Sequence, residues 1–130
     1  MNRQDILDRM RDFPYDRSEY WIVAGGALVL YGIREETADI DLGCTAAMAA
    51  RMDADGVPWE TAPDGRRHFR YGEDIEIYEE GFRGPVVEAD GLPVLSICGL
   101  IDMKRKLGRD KDKRDLELIR EYFERNRCFE

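Results

Sequence analysis

Hydrophobic and polar positions along this chain follow the periods of both helices and strands. Ile6, Met10 and Phe13 recur at helical spacing, which predicts an amphipathic helix that Pro14 closes. Runs of helix-forming residues, bounded by Gly, Pro or Ser, predict further helices over residues 27–31, 46–52, 96–106 and 111–125.

The predicted strands are shorter and fall mainly in the first two thirds of the chain. They cover residues 20–24, 38–42, 68–71 and 74–78, with a further short strand near 86–87. Gly72-Glu73 is a hairpin-turn signal between the third and fourth strands, whereas residues 53–66 contain two glycines and two prolines and are predicted to be mostly loop. This order of elements predicts an α+β fold with a small mixed β-sheet and helices mainly on one side.

The length and composition predict one domain over residues 1–130. The chain has 130 residues and 43% hydrophobic content, enough for a core. Its longest apolar stretch, 21–31, is far shorter than a membrane span, and its charged N-terminus has no signal-peptide core. We therefore expect a cytoplasmic protein with no membrane partner. The three cysteines, Cys44, Cys98 and Cys128, form no CxxC pair or Cys/His cluster, so neither a zinc site nor a disulfide framework is predicted.

The charge distribution limits the partners that the protein can bind. A net charge of −8 argues against broad nucleic-acid binding, which depends on neutralising phosphates. Basic residues nevertheless concentrate at 66–70 and at 104–114, and such local patches can act on an acidic protein.

Two aspartates carry the clearest chemical signal. In the alternating strand 38–42, Asp39 and Asp41 project to the same side, roughly 7 Å apart at about 3.3 Å per residue. Neighbouring carboxylates raise each other's pKa unless a cation lies between them, and hard oxygen ligands suit Mg²⁺. A solvated strand face is the alternative interpretation of the same pattern.

A third carboxylate would complete a two-metal site. The strand 74–78 alternates in the same way and offers Asp74 and Glu76 on one face. Glu76 is favoured because isoleucines flank it in the middle of the strand, while Asp74 lies nearer the turn. A solvent-facing acidic strand remains the alternative for both.

Several other residues are weaker candidates. Gly25-Gly26, placed between a strand and a helix, could present backbone N–H groups to phosphate, although such a pair is more often only a turn. His68 has no accompanying nucleophile pattern. Trp21 is predicted to belong to the core, and Tyr78 is a candidate for lining a nucleotide site.

Two stretches of the sequence resemble the polymerase-β-like nucleotidyltransferase superfamily. The first is Val23-Ala-Gly-Gly-Ala-Leu followed by Arg34-x-x-Thr37-x-Asp39-Ile-Asp41-Leu42. The second is Leu100-Ile-Asp-Met-Lys104 followed by Gly108-Arg109-Asp-Lys111-Asp112-x-x-Asp115-Leu116. The chain is most similar to small bacterial members related to AbiEii-type toxins, minimal nucleotidyltransferases and antibiotic nucleotidyltransferases. It departs from them in its Gly-Gly-Ala turn and in a third acid that is Glu.

The resemblance implies an enzyme with a nucleotidyltransferase-like fold that moves an NMP group from an NTP, such as ATP, to a hydroxyl acceptor. It implies that Asp39, Asp41 and Glu76 are catalytic and hold Mg²⁺ in a two-metal site. It further implies that the triphosphate is bound by Gly25, Gly26, Arg34, Lys104 and Arg109.

The acceptor and the biological setting stay open. The acceptor could be RNA, a protein or a small molecule, in a toxin–antitoxin or resistance setting, and a homodimer or protein partner could complete the pocket. A non-catalytic protein of the same fold that binds a partner, such as a toxin–antitoxin component, is the alternative. Metal-dependent hydrolysis is a third interpretation of the same acids.

Overall fold

The computed structural model describes residues 1–126, in which five α-helices accompany one seven-stranded sheet. The helices are α1 Arg3–Arg11, α2 Ala24–Leu30, α3 Ala46–Ala54, α4 Ile97–Leu107 and α5 Asp110–Asn126. The strands are β1 Tyr20–Val23, β2 Ile40–Cys44, β3 Trp59–Thr61, β4 Arg67–Tyr71, β5 Ile75–Glu79, β6 Val86–Ala89 and β7 Leu92–Leu95.

The sheet is mixed, as the sequence predicts. Its strand order is β3-β4-β5-β2-β1-β7-β6. β2 and β5 are parallel, as are β1 and β7, while the other neighbours are antiparallel. The α+β class is therefore confirmed. The prediction of loop over 53–66 was wrong at β3, and a hairpin of β6 and β7 replaces the single short strand predicted near 86–87.

The two faces of the sheet have opposite character because side chains alternate along each strand. One face carries a buried apolar row across four neighbouring strands, made of Ile22, Leu42, Ile77 and Phe69. Phe13, which follows α1, contacts Tyr20 and Tyr71 on this face with ring centroids 5.2 Å apart in each pair. The main core therefore lies between this face and the first helices of the chain.

The opposite face carries polar residues of β2, β5 and β4, next to apolar residues of β1. Its rows are Val23, Asp41, Glu76 and Arg70, and next to them Trp21, Gly43, Tyr78 and His68. Helices α4 and α5 pack against each other and contribute side chains to the cleft over this face. Ser96 caps α4 by accepting from the Gly99 N–H, and Gly108 ends it at a φ of +60°.

The helices in the described part of the chain include none that is both long and apolar enough to cross a membrane. Cys44 is buried and Cys98 is exposed, and both are free thiols. Cys128 lies outside the described residues.

Candidate metal centre

The parallel pairing of β2 with β5 creates the acidic cluster. Asp41 and Glu76 are register partners across these strands, and Asp39 immediately precedes β2. One carboxylate oxygen from each of the three residues lies within 4.8 Å of the others. The three acids predicted from the sequence are thus brought together.

Asp41 lies next to two other acids and has one buried carboxylate oxygen. Its Oδ1 is buried and has no hydrogen-bond partner among the described residues. Burial, and after it the charges of Asp39 and Glu76, raise the pKa of Asp41 from 3.8 to about 7. A bound cation would therefore stabilise the ionised form of the Asp41 carboxylate.

The donor set fits a hard divalent cation. Mg²⁺ binds oxygen at about 2.1 Å, so two oxygens on one ion are at most about 4.2 Å apart. A spread of 4.8 Å encloses one ion after small side-chain rotations and also suits two ions about 3.5–4 Å apart. Asp39, Asp41 and Glu76 could therefore hold one or two such ions.

Asp74, the alternative third acid, is engaged elsewhere. Both of its carboxylate oxygens accept from Arg9 Nε, at 2.8 and 3.0 Å. This ion pair ties α1 to the residue before β5, and Asp74 takes no part in the acidic cluster. The geometry therefore places Glu76, and not Asp74, beside Asp39 and Asp41.

Two residues of β4 approach Glu76 from the side away from Asp41. His68 Nε2 lies 3.4 Å and Arg70 Nη2 lies 3.5 Å from Glu76 Oε1. The His68 approach lacks hydrogen-bond geometry, since Nε2 is buried without a partner in the described structure. The His68 ring stacks on Tyr78 with centroids 4.4 Å apart and an interplanar angle of 12°.

The acids lie in a cleft of about 1010 Å³, which is large enough for a nucleotide. Positive side chains from three parts of the chain line it: Arg34, Lys104, Arg109, Lys111 and Arg114. Its apolar lining comes from Ala24, Tyr78, Phe82, Met103, Leu107 and Leu118.

Lys104 is held within a buried ion-pair network. Its Nζ lies 2.8 Å from Asp115 Oδ2 and 3.2 Å from Asp112 Oδ1, and its side chain is only 4% exposed. Arg109 Nε donates to Asp112 at 2.6 Å, and Arg34 Nη1 lies 3.7 Å from Asp115. All three cations predicted to bind phosphate thus border the cleft, already paired with two aspartates of α5.

This network stabilises the charge of Asp112. Burial would raise the pKa of Asp112, but hydrogen bonds from Arg109 and Lys104 outweigh it and lower the pKa to about 2. Asp112 also accepts from the Arg109 N–H at the start of α5. Asp112 therefore braces the α4–α5 junction.

Lys111 and Arg114 have no such partners. Neither side chain makes a hydrogen bond or ion pair with residues 1–125, although the positive charge of Lys111 acts to lower the pKa of Asp41. Arg114 was not predicted as a site residue. Its spacing of three from Lys111 and four from Leu118 places all three on one helix face, and that signal could have revealed it.

The strand-to-helix turn differs from the prediction. Ala24, with a φ of +57°, makes the turn, and both glycines lie inside the first turn of α2. A Cβ on Gly25 would lie 2.3 Å from Thr37 Oγ1, so close packing requires glycine there. Gly25 lines the cleft, whereas a Cβ on Gly26 would lie 3.3 Å from Ile22 Cγ2, on the core side.

Comparison with known proteins supports the fold. No protein-family model and no curated protein matches the sequence. The structure is similar to the crystal structure of a putative nucleotidyltransferase from Thermotoga maritima, with a TM-score of 0.57 and 19% identity over 96% of each chain. The chain therefore has a nucleotidyltransferase-like fold.

Proposed function

We propose that this protein is a divalent-metal-dependent nucleotidyltransferase that moves an NMP group from an NTP to a hydroxyl acceptor. The observation that carries the proposal is the cluster of Asp39, Asp41 and Glu76, which includes a buried oxygen without a partner, at the base of a cation-lined cleft. The name of the Thermotoga maritima neighbour points to the same chemistry.

In this proposal the three carboxylates hold one or two divalent cations, with Mg²⁺ the natural choice for oxygen ligands. The bound cations would neutralise phosphate charge and favour ionisation of the acceptor hydroxyl. The acceptor oxygen forms a bond to the α-phosphorus as the bond to pyrophosphate breaks. Glu76 takes the acceptor's proton and releases it to water.

The cations of the cleft would bind the triphosphate. Lys111 and Arg114 are free to approach it, while Arg109 is half-exposed and can contact it without leaving Asp112. Lys104 and Arg34 contribute positive potential from their places beside Asp115. Gly25 would present its backbone to the triphosphate at the cleft wall. Gly26 lies next to it in the chain, on the core side.

The acceptor is proposed only by class: RNA, a protein or a small molecule carrying a hydroxyl group. The setting proposed for it is like that of the AbiEii-type toxins or of antibiotic nucleotidyltransferases. Cytoplasmic NTP would be the donor.

The first test measures thermal stabilisation by each of the four NTPs with and without Mg²⁺, in the wild type and in Asp39→Asn. Asp74→Asn is the matched control, because it removes a carboxylate outside the cluster. We expect stabilisation that needs nucleotide and metal together, that is lost in Asp39→Asn and that is kept in Asp74→Asn.

The second test follows transfer of an α-³²P-labelled NMP group to cellular RNA, to protein and to small hydroxyl compounds. Transfer should require Mg²⁺ and disappear in Asp39→Asn and Asp41→Asn. Equal transfer in both variants would contradict the assignment of the site. Binding without transfer to any acceptor class would favour the partner-binding alternative.

A further inference from the structure

The segment that follows β5 has an unusual backbone. Glu80 and Phe82 have φ angles of +54° and +57°, in the left-handed region that favours glycine. A bulky residue such as phenylalanine is strained there, and strained residues concentrate at ligand-binding and active sites. The backbone strain therefore makes the turn at Phe82 a candidate ligand-binding segment.

Specific contacts hold this turn in place. Trp21 Nε1 donates to the Gly81 and Phe82 carbonyl oxygens at 3.0 and 3.1 Å. The indole can lie there because the neighbouring strand has Gly43, where a Cβ would be 2.2 Å from Trp21 Nε1. The Glu80 N–H also donates to the Cys44 carbonyl at 2.7 Å. These hydrogen bonds thus hold the backbone that carries the Phe82 side chain.

Phe82 lines two cavities. It lines both the large cleft and a smaller pocket of about 150 Å³, and it shares both linings with Tyr78. The two rings form an edge-to-face pair with centroids 5.4 Å apart and an angle of 72°. The small pocket is below the roughly 300 Å³ typical of organic ligand sites, so a ligand would meet the ring from the large cleft.

The large cleft offers two kinds of surface to a ligand. Asp39, Asp41 and Glu76 line it together with the cations Arg109, Lys111 and Arg114, and this set suits a metal-bound triphosphate. Phe82, Met103 and Leu107 supply an apolar part of the same cleft. Tyr78 lies between the charged residues and Phe82. Its hydroxyl interacts electrostatically with Asp41, Glu76 and Arg109, while its ring contacts Phe82.

We propose that the nucleobase of the NTP stacks on the ring of Phe82. Hydrogen bonds from Trp21 hold the turn that carries this residue. The inference rests on the proposed function and adds to it the binding site of the base. Aromatic rings stack on any nucleobase, so this ring would contribute affinity and leave the choice among bases to other contacts.

The experiment compares NTP with inorganic tripolyphosphate, which lacks a base and a sugar. Affinities of all four NTPs and of tripolyphosphate are measured by calorimetry with Mg²⁺ for the wild type, Phe82→Leu and Phe82→Tyr. Phe123→Leu is the matched control, since Phe123 is exposed on α5 and does not line the cleft. Loss of one base–ring stack should weaken NTP binding by roughly 5- to 150-fold, which is the stacking free energy of 1–3 kcal/mol per base at 1.4 kcal/mol per tenfold change.

We expect Phe82→Leu to weaken NTP binding while tripolyphosphate binding changes less than about twofold. Phe82→Tyr, which keeps the ring, and Phe123→Leu should both bind NTP like the wild type. Phe82→Gly is measured as well, because glycine adopts the φ of +57° without strain and so separates loss of the ring from a folding defect.

Each other outcome overturns the inference in a recognisable way. Equal weakening of NTP and tripolyphosphate binding would show that Phe82 acts on the whole site. Phe82→Leu that binds NTP as tightly as the wild type would exclude a base site on Phe82 and leave the proposed function standing. Failure of the wild type to bind either compound would overturn the proposed function together with the inference.

Discussion

Asp41 and Glu76 lie directly opposite each other on the adjacent parallel strands β2 and β5. Their separation is set by the backbone hydrogen bonds of the sheet, which hold neighbouring strands about 4.8 Å apart. Both strands have neighbours on either side, since β5 lies beside β4 and β2 lies beside β1. The two acids therefore lie on interior strands of the sheet, whose backbones are hydrogen-bonded on both sides.

This pairing predicts different effects for the two acids near β5. Glu76→Gln should weaken Mn²⁺ binding at least tenfold, because it removes one ligand charge from the cluster. Asp74→Asn should leave Mn²⁺ affinity unchanged and cost about 1 kcal/mol or less of stability, because it removes only the half-exposed ion pair with Arg9. Electron paramagnetic resonance of free Mn²⁺ gives the affinities, and the reverse order would make Asp74 the ligand.

Asp41 predicts how the stability of the metal-free protein depends on pH. Its pKa is raised from 3.8 to about 7 in the folded protein. Between these values the folded state keeps a proton that the unfolded state releases, so stability falls as pH rises through this window. We expect urea unfolding in EDTA to show lower stability at pH 8 than at pH 5.

Asp41→Asn provides the control for that measurement. It removes the titrating group, so the loss of stability between pH 5 and pH 8 should become smaller, and at pH 8 the variant should be the more stable protein. Added Mg²⁺ should stabilise the wild type and leave Asp41→Asn unchanged. An equally steep loss in the variant would assign the pH dependence to a different group.

Replacement of Lys104 should lower the free energy of unfolding substantially. Replacing it by Met leaves Asp112 and Asp115 without their buried partner, and breaking a buried pair in this way costs about 3–5 kcal/mol. Urea unfolding measures the loss. Combining Lys104→Met with Asp112→Asn and Asp115→Asn should recover part of it, because the uncompensated charges are then gone. Unchanged stability in Lys104→Met would contradict a structural role for the network.

Acid should weaken the same network. The pKa of Asp112 is lowered from 3.8 to about 2 in the folded protein. The stability that ionised Asp112 contributes is therefore complete above about pH 4 and is lost as the pH falls from about 4 to about 2. Asp112→Asn should therefore lose less stability than the wild type between pH 4 and pH 2. Circular dichroism during acid titration compares the two proteins.

The two glycines at the start of α2 should differ in their tolerance of alanine. Gly25→Ala places a methyl group 2.3 Å from Thr37 Oγ1, which we expect to cost about 1–3 kcal/mol through displaced neighbours. Gly26→Ala approaches only Ile22 Cγ2, at 3.3 Å, and should be much milder. Thermal unfolding compares them, and equal effects would contradict the close packing at Thr37.

Local patterns explain why much of this fold could be predicted from the sequence. The 3.6-residue period, with Ser96 before it and Gly108 after it, predicted α4. Alternation along the strand predicted that Asp39 and Asp41 share a face, as do Asp74 and Glu76 on the next strand. Strand β3 was missed because its three residues are all exposed and show no alternation in burial. Its formation depends on pairing with β4, which is a non-local interaction.

The site was predictable in its acids and less so in its cations. The spacing of Asp39 and Asp41 predicted a carboxylate pair on one strand face, and the flanking isoleucines favoured Glu76 as the third acid. The charge of Lys104 was evident, but its burial against Asp112 and Asp115 arises from the packing of α4 on α5. The turn at Ala24 was assigned to the glycines because positive φ favours glycine, whereas packing at Thr37 is what requires Gly25.

The parallel pairing of β2 with β5 also orders events during synthesis on the ribosome. A nascent chain that has emerged only through β2 carries Asp39 and Asp41 on a strand that still lacks one neighbour. The chain must then produce α3 and the β3–β4 hairpin before β5 can align beside β2. The three-carboxylate cluster can therefore form only once β5 is available, while the β6–β7 hairpin that pairs with β1 on the other side of the sheet has still to be made.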